Sequence, residues 1–167
     1  MRYRLDVVAP SVADVVRSAG GWLVDRVMAG WDVTVLISGD DDLRPLRILG
    51  VQTGDLETAM RDWEERPHPQ TVAVAADLFV ADERVRDGVL GALDQGLTEV
   101  TLWGESWPQE LDSTVDSMLH ELSAAARAFK AQALAAVGDA HPVERVEAFR
   151  CGVMSCPAVA ADLVPAS

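Results

Sequence analysis

A Rossmann-like three-layer α/β sandwich, with a mostly parallel sheet of four or five strands and a long C-terminal helix, is the fold this sequence predicts. Two observations predict it. Four short apolar runs, rich in β-branched residues, recur at 5–8, 33–37, 71–75 and 99–103. Each is followed by a stretch whose apolar residues fall at helical spacing, and that alternation marks βαβ units with helices on both faces of a parallel sheet.

Residues 2–9 form the first strand, which Pro10 ends. Ser11 then suits a helix N-cap, and the Asp14 carboxylate three residues on is favoured near the helix N-terminus. Val12, Val15, Val16, Ala19, Leu23 and Val27 continue the helical stripe until Gly30 stops it. Trp31 and Asp32 lead into the second strand, which closes at Ser38-Gly39 before three aspartates, Asp40, Asp41 and Asp42.

Two readings stand for the next stretch. Residues 42–50 form a short helix followed by a third strand at 51–56, or 46–51 returns as the second arm of a hairpin with 33–37. The link is long enough for a parallel crossover of about a dozen residues, which favours the helix. Residues 57–65 are helical and end at Pro67 and Pro69. The run at 71–76 is apolar on both faces, as a central strand should be. Asp82 caps a helix carrying Val85, Val89, Leu90 and Leu93, and Gly96 ends it. The last strand closes at Gly104. After Pro108 the spacing of Leu111, Val115, Met118, Leu122, Ala126, Phe129 and Ala133 predicts one long helix over 110–137. A short helix from His141-Pro142 to Arg150 and a loose tail complete the chain. The organisation is therefore a Rossmann-like domain over 1–138 and an appended segment over 139–167.

Composition narrows the function classes. The 167 residues suffice for one domain with its own core. The net charge of −13 sets 14 basic against 27 acidic residues. Nucleic-acid binding rests on Lys and Arg neutralising phosphates, so this balance argues against it, and anionic membranes are disfavoured on the same ground. Lys130 is the only lysine among the basic residues. No basic segment with an apolar core opens the chain and no 18-residue apolar run occurs, which predicts a cytoplasmic protein.

Familiar ligand motifs fail one by one. A dinucleotide fingerprint needs glycines between the first strand and helix. That turn here reads Ala9-Pro10-Ser11-Val12. No P-loop sequence occurs, and no serine stands in a Gly-x-Ser-x-Gly elbow. Cys151 and Cys156 are spaced C-x4-C with His141 upstream, one pair short of a structural zinc set. Glycines inside predicted helices, Gly20-Gly21 and Gly88-x-x-Gly91, are costly against alanine and suggest close approach of a neighbouring element.

The remaining candidates come from topology. In parallel sheets ligands bind beyond the carboxyl ends of the strands. Those ends carry Ser11, Ser38, Asp40, Asp77 and Glu105, the candidate ligand-binding residues. Asp40, Asp77 and Glu105 offer hard oxygen donors of the kind that take Mg²⁺. Trp103 and Trp107 flank an aromatic-walled loop at the same edge, a candidate interaction surface. From these features we expect a non-catalytic binding or regulatory domain that recognises a basic protein, or a second copy of itself. The alternative is a small Mg²⁺-dependent enzyme or sensor of a nucleotide or other phosphorylated ligand.

Overall fold

A computed structural model describes residues 2–105, 115–152 and 162–165. Its elements in chain order are β1 (Arg4–Ala9), α1 (Val12–Met28), β2 (Asp32–Ile37), α2 (Arg44–Leu49), β3 (Gln52–Asp55), α3 (Leu56–Arg61), a 3₁₀ turn (Trp63–Glu65), β4 (Thr71–Ala75), α4 (Ala76–Ala81), α5 (Glu83–Gln95), β5 (Glu99–Trp103), β6 (Val115–Glu121), α6 (Ala124–Ala136), β7 (Val146–Gly152) and β8 (Val164–Pro165). The eight strands form one mixed sheet in the order β3-β2-β1-β4-β5-β7-β6-β8.

Five strands, β3 through β5 in that order, pair in parallel, and the helix at 44–49 is the crossover between β2 and β3. The hairpin alternative is therefore excluded. Alternate residues of each strand feed two cores. Leu5, Val7, Val35 and Ala73 pack under α1, α2 and α6, whereas Val8, Leu36, Val74 and Leu102 pack under α3, α4 and α5. The side-chain period of two turns one apolar strand into the floor of both layers.

The expected parallel sheet of four or five strands is only part of this sheet. Strands β7, β6 and β8 extend it antiparallel, with β7 set between β5 and β6. The long helix over 110–137 is corrected with it. Val115–Glu121 is a strand, and the helix begins only at Ala124, where Ser123 Oγ accepts from the Ala126 N–H at 3.0 Å. Val115, Met118 and Leu122 satisfy helical spacing, but β7 offers a backbone ladder along all of 115–121. Phe129, assigned to the apolar stripe, is 48% exposed.

The appended segment is corrected too. Instead of a helix through Arg150 it supplies β7, whose alternate residues Glu147, Phe149 and Cys151 are buried. Within the expected loose tail only 162–165 are described, and there Asp162 accepts from Arg26 Nε at 2.7 Å and from Trp22 Nε1 at 3.0 Å, and Leu163 is buried in the core. The Arg26 guanidinium lies over the Trp22 and Trp31 rings, 4.7 and 4.2 Å from their centroids. Among the described residues no helix is long and apolar enough to cross a membrane.

Candidate functional site

Parallel pairing of β2, β1, β4 and β5 brings their carboxyl ends to one edge. Ser38 with Asp40 follows β2, Ser11 follows β1, Asp77 follows β4 and Glu105 follows β5. Ser11 is extended (φ −153°, ψ 157°) and caps α1, its Oγ accepting from the Asp14 N–H at 3.2 Å. A second carboxylate reaches the same helix end: Asp41 Oδ2 accepts from the Val12 N–H at 2.9 Å. The run of three aspartates is thus divided by function. Asp41 serves α1, Asp42 holds Arg44, and Asp40 is left exposed beside Ser38.

At the centre of the edge stands Asp14, in the first turn of α1. Trp103 Nε1 donates to Asp14 Oδ2 at 3.0 Å. Burial raises the Asp14 carboxyl above its ordinary value of 3.8; the Trp103 N–H opposes that rise, the field of Asp77 adds to it, and Arg17 opposes it. Gly104 continues β5 with φ +138°, and a Cβ there would stand 3.1 Å from Ala76 Cβ. Glycine is required at that point, both for the backbone angle and for the approach of β5 to α4.

A cleft opens beside Trp103. Its inner part, ≈ 230 Å³, is lined by Arg17, Trp103, Glu105, Lys130, Glu144 and Glu147, and an outer part of ≈ 870 Å³ continues it past Asp139 and His141. The floor is a buried ion pair. Lys130 Nζ lies 2.6 Å from Glu147 Oε2 and donates to the Arg17 carbonyl at 2.7 Å. Glu147 accepts in addition from the backbone N–H groups of Gly21 and Trp22, at 2.9 and 2.7 Å. Two side chains from β7 and α6 therefore join the main chain in the middle of α1. Burial pushes the Glu147 carboxyl up, against the pull of Lys130 and the two N–H donors.

Several expectations change at this site. Trp103 is 2% exposed and spends its N–H on Asp14, so it positions a carboxylate rather than presenting a ring to a partner. Trp107 lies outside the described residues, as does Cys156. Among the described residues no three His, Cys, Asp or Glu side chains are grouped to hold a metal ion. Asp40, Asp77 and Glu105 are thus not gathered into a cation site: Asp40 and Glu105 are exposed on separate connections, and Asp77 is exposed in the first turn of α4. Each histidine has a partner: His68 Nε2 is 2.7 Å from Thr98 Oγ and His120 Nε2 2.7 Å from Asp25, while at the outer cleft His141 Nδ1 is 2.7 Å from Asp139. The Cys151 thiol is buried and pushed up to about 11, which leaves it protonated and unreactive.

Sequence reasoning placed Asp14 as a helix-end charge and missed its bond to Trp103. It also missed Lys130 and Glu147. The solitary lysine was one available signal, and the period-two pattern Glu147, Phe149, Cys151 was the other.

No family model matches this sequence, and no curated protein matches it. Solved structures do share its fold. The A40926 pseudoaglycone deacetylase superposes with a TM-score of 0.65 at 15% identity, over 94% of this chain and 100% of that one. A teicoplanin deacetylase complex gives 0.63 at 14% identity, over 98% and 99%. The 4-carboxy-2-hydroxymuconate hydratase of Pseudomonas putida gives 0.57 at 16% identity, over 97% and 100%. At these identities the likeness is one of fold. The three structures named are of enzymes, which runs against the expectation of a non-catalytic interaction domain.

Proposed function

We propose that this protein is an enzyme that activates water at the carboxyl edge of its sheet, with Asp14 as the proton-transferring group and an N-acyl bond of a small polar molecule as its target. One observation carries the reading: a half-buried carboxyl, raised by burial and held in place by the N–H of Trp103, whose ring lines the cleft. Carboxyls raised in this way work as bases or acids closer to neutral pH, and perturbed groups of this kind concentrate at functional sites. Deacetylation and hydration, the activities named for the similar structures, both require a water oxygen to add while its proton is taken up.

The step assigned to Asp14 is simple. Its carboxylate takes a proton from water as the water oxygen attacks the acyl carbon; the C–N bond then breaks and the proton passes to the amine nitrogen. Arg17 and Glu105 line the cleft where the polar substrate would lie. Ser11, Ser38, Asp40 and Asp77, at the same edge, are proposed as its further polar contacts.

The test is hydrolysis of a panel of N-acetylated amino sugars and acyl amides, followed by NMR of released acid. Asp14→Asn is expected to lower kcat/KM by about 100-fold or more, the range for loss of a general base, with its circular dichroism unchanged. Absence of turnover across the panel, or an Asp14→Asn variant as active as the parent protein, would sink the proposal.

A further inference from the structure

The opposite helical layer holds a second pocket, which the reading above does not use. It measures ≈ 340 Å³ and lies between α5 and the sheet, walled by Val72, Val74 and Val100 on the sheet side, by Met60 and Trp63 across from α5, and by Val89. Protein interiors are close-packed and keep few such voids. We propose that this pocket binds a small aromatic molecule carrying one hydrogen-bonding group.

The glycines of α5 point the same way. That helix is well bounded: Asp82 accepts from the N–H groups of Arg84 and Val85 at 2.9 and 3.4 Å, and Gly96 (φ +68°) closes it. Yet Gly88 and Gly91 sit in its interior, where glycine is the costliest residue after proline. Close packing is not their reason, because a Cβ at either would meet no atom within 4 Å. Gly21 is the contrast, since a Cβ there would collide with the Leu122 side chain. Gly88 and Gly91 both line the pocket, so what they preserve is space.

The lining selects the class of ligand. The volume lies in the range of small-molecule sites, which are mostly apolar with a few placed polar groups. The Met60 thioether and the Trp63 indole favour an aromatic ring over a plain alkyl chain. One wall is polar. His68 Nε2 is 2.7 Å from Thr98 Oγ, which donates to the Pro69 carbonyl at 3.3 Å, and Gln95 stands nearby on the lining. A phenolic hydroxyl or an indole N–H would find its partner there.

Titration calorimetry with 1-naphthol on the full chain tests this. Saturable one-to-one binding is expected, with a negative heat-capacity change from apolar burial. Gly91→Leu, which fills the void from α5, should weaken binding at least tenfold. Asp14→Asn should leave it unchanged, which separates this pocket from the proposed active site. Nuclear Overhauser contacts between the naphthol ring and the Met60 methyl, measured on the unsubstituted protein, locate the ligand whether or not Gly91→Leu folds. Lack of saturable heat, contacts to residues elsewhere, or undiminished affinity in a folded Gly91→Leu variant would each overturn the proposal, as would binding of decanoate in preference to naphthol.

Discussion

Five strands paired in parallel and three joined by antiparallel pairing divide this sheet, and different chemistry holds each part. The parallel part is held mainly by apolar packing: Val7, Val35, Ala73 and Leu102 are fully buried, and its helices lie over them as hydrophobic layers, with Asp6, Thr71 and Thr101 as buried polar exceptions. The antiparallel part is joined to α1 largely by polar groups. Glu147 and Lys130 meet the helix backbone at Arg17, Gly21 and Trp22, and His120 joins Asp25 to the Asp162 carbonyl. Asp162 in turn holds Arg26 and Trp22. Apolar burial tolerates small shifts because it is non-directional. A buried carboxylate needs each of its donors in place. The comparison teaches that α1 and the cleft beside it are positioned by directional bonds, while the sheet below them is held by packing.

The largest expected effect comes from breaking that polar junction. Glu147→Ala leaves the Lys130 ammonium buried without its partner and frees two backbone N–H groups, and should cost about 3–5 kcal/mol in urea unfolding. Replacing both partners with apolar residues, as Lys130→Met with Glu147→Leu, should cost much less. A double variant as unstable as Glu147→Ala would assign the loss to the orphaned N–H groups instead of the lysine.

Gly21 offers an intermediate effect. A methyl group there collides with Leu122, so Gly21→Ala should destabilise by about 1–3 kcal/mol despite the better helix propensity of alanine. Thermal unfolding measures it, and a rise in Tm would show that Leu122 can move aside.

The smallest effect is a pH dependence at Asp14, behind the Trp103 wall of the cleft. Asp14 has a folded value above 3.8, so the folded state favours its protonated form. Its contribution to stability is complete below 3.8 and is lost as the pH rises through the raised folded value. Asp14→Asn should remove that decline and flatten the stability profile on the alkaline side of 3.8. The enzyme reading adds an opposite slope, since turnover by a carboxylate base rises over the same interval. Stability and rate profiles bending together in opposite directions would identify one group; a rate limb that survives in Asp14→Asn would assign it elsewhere.

The two parts of the sheet also differ in how far they could be read beforehand. In the parallel part, runs such as 71–75 are apolar on both faces and caps such as Ser11, Asp82 and Gly96 stand where the structure has them. In the antiparallel part, Val115, Met118 and Leu122 are spaced as on one face of a helix, yet 115–121 is a strand that puts Val115 and Met118 on opposite faces. The short helix expected from His141-Pro142 to Arg150 is replaced by β7, in which Glu147 is buried. The site divided along the same line. Parallel strands sufficed to place Ser11, Asp40, Asp77 and Glu105 beyond one edge, but the Trp103–Asp14 bond spans 89 residues and the Lys130–Glu147 pair depends on β7 entering between β5 and β6.

What the chain determined locally was therefore its strand-helix alternation, its caps and the edge at which any parallel sheet of this kind would bind. Those features follow from period and from side chains acting within a few residues of themselves. Tertiary structure alone decided that 115–121 would be a strand, which carboxyl would be raised, and which charges would be buried. The reason is physical: a ladder partner, a dehydrated neighbourhood and an opposite charge are each supplied by residues far away in sequence, and the segment that receives them carries at most a short period-two pattern of its own.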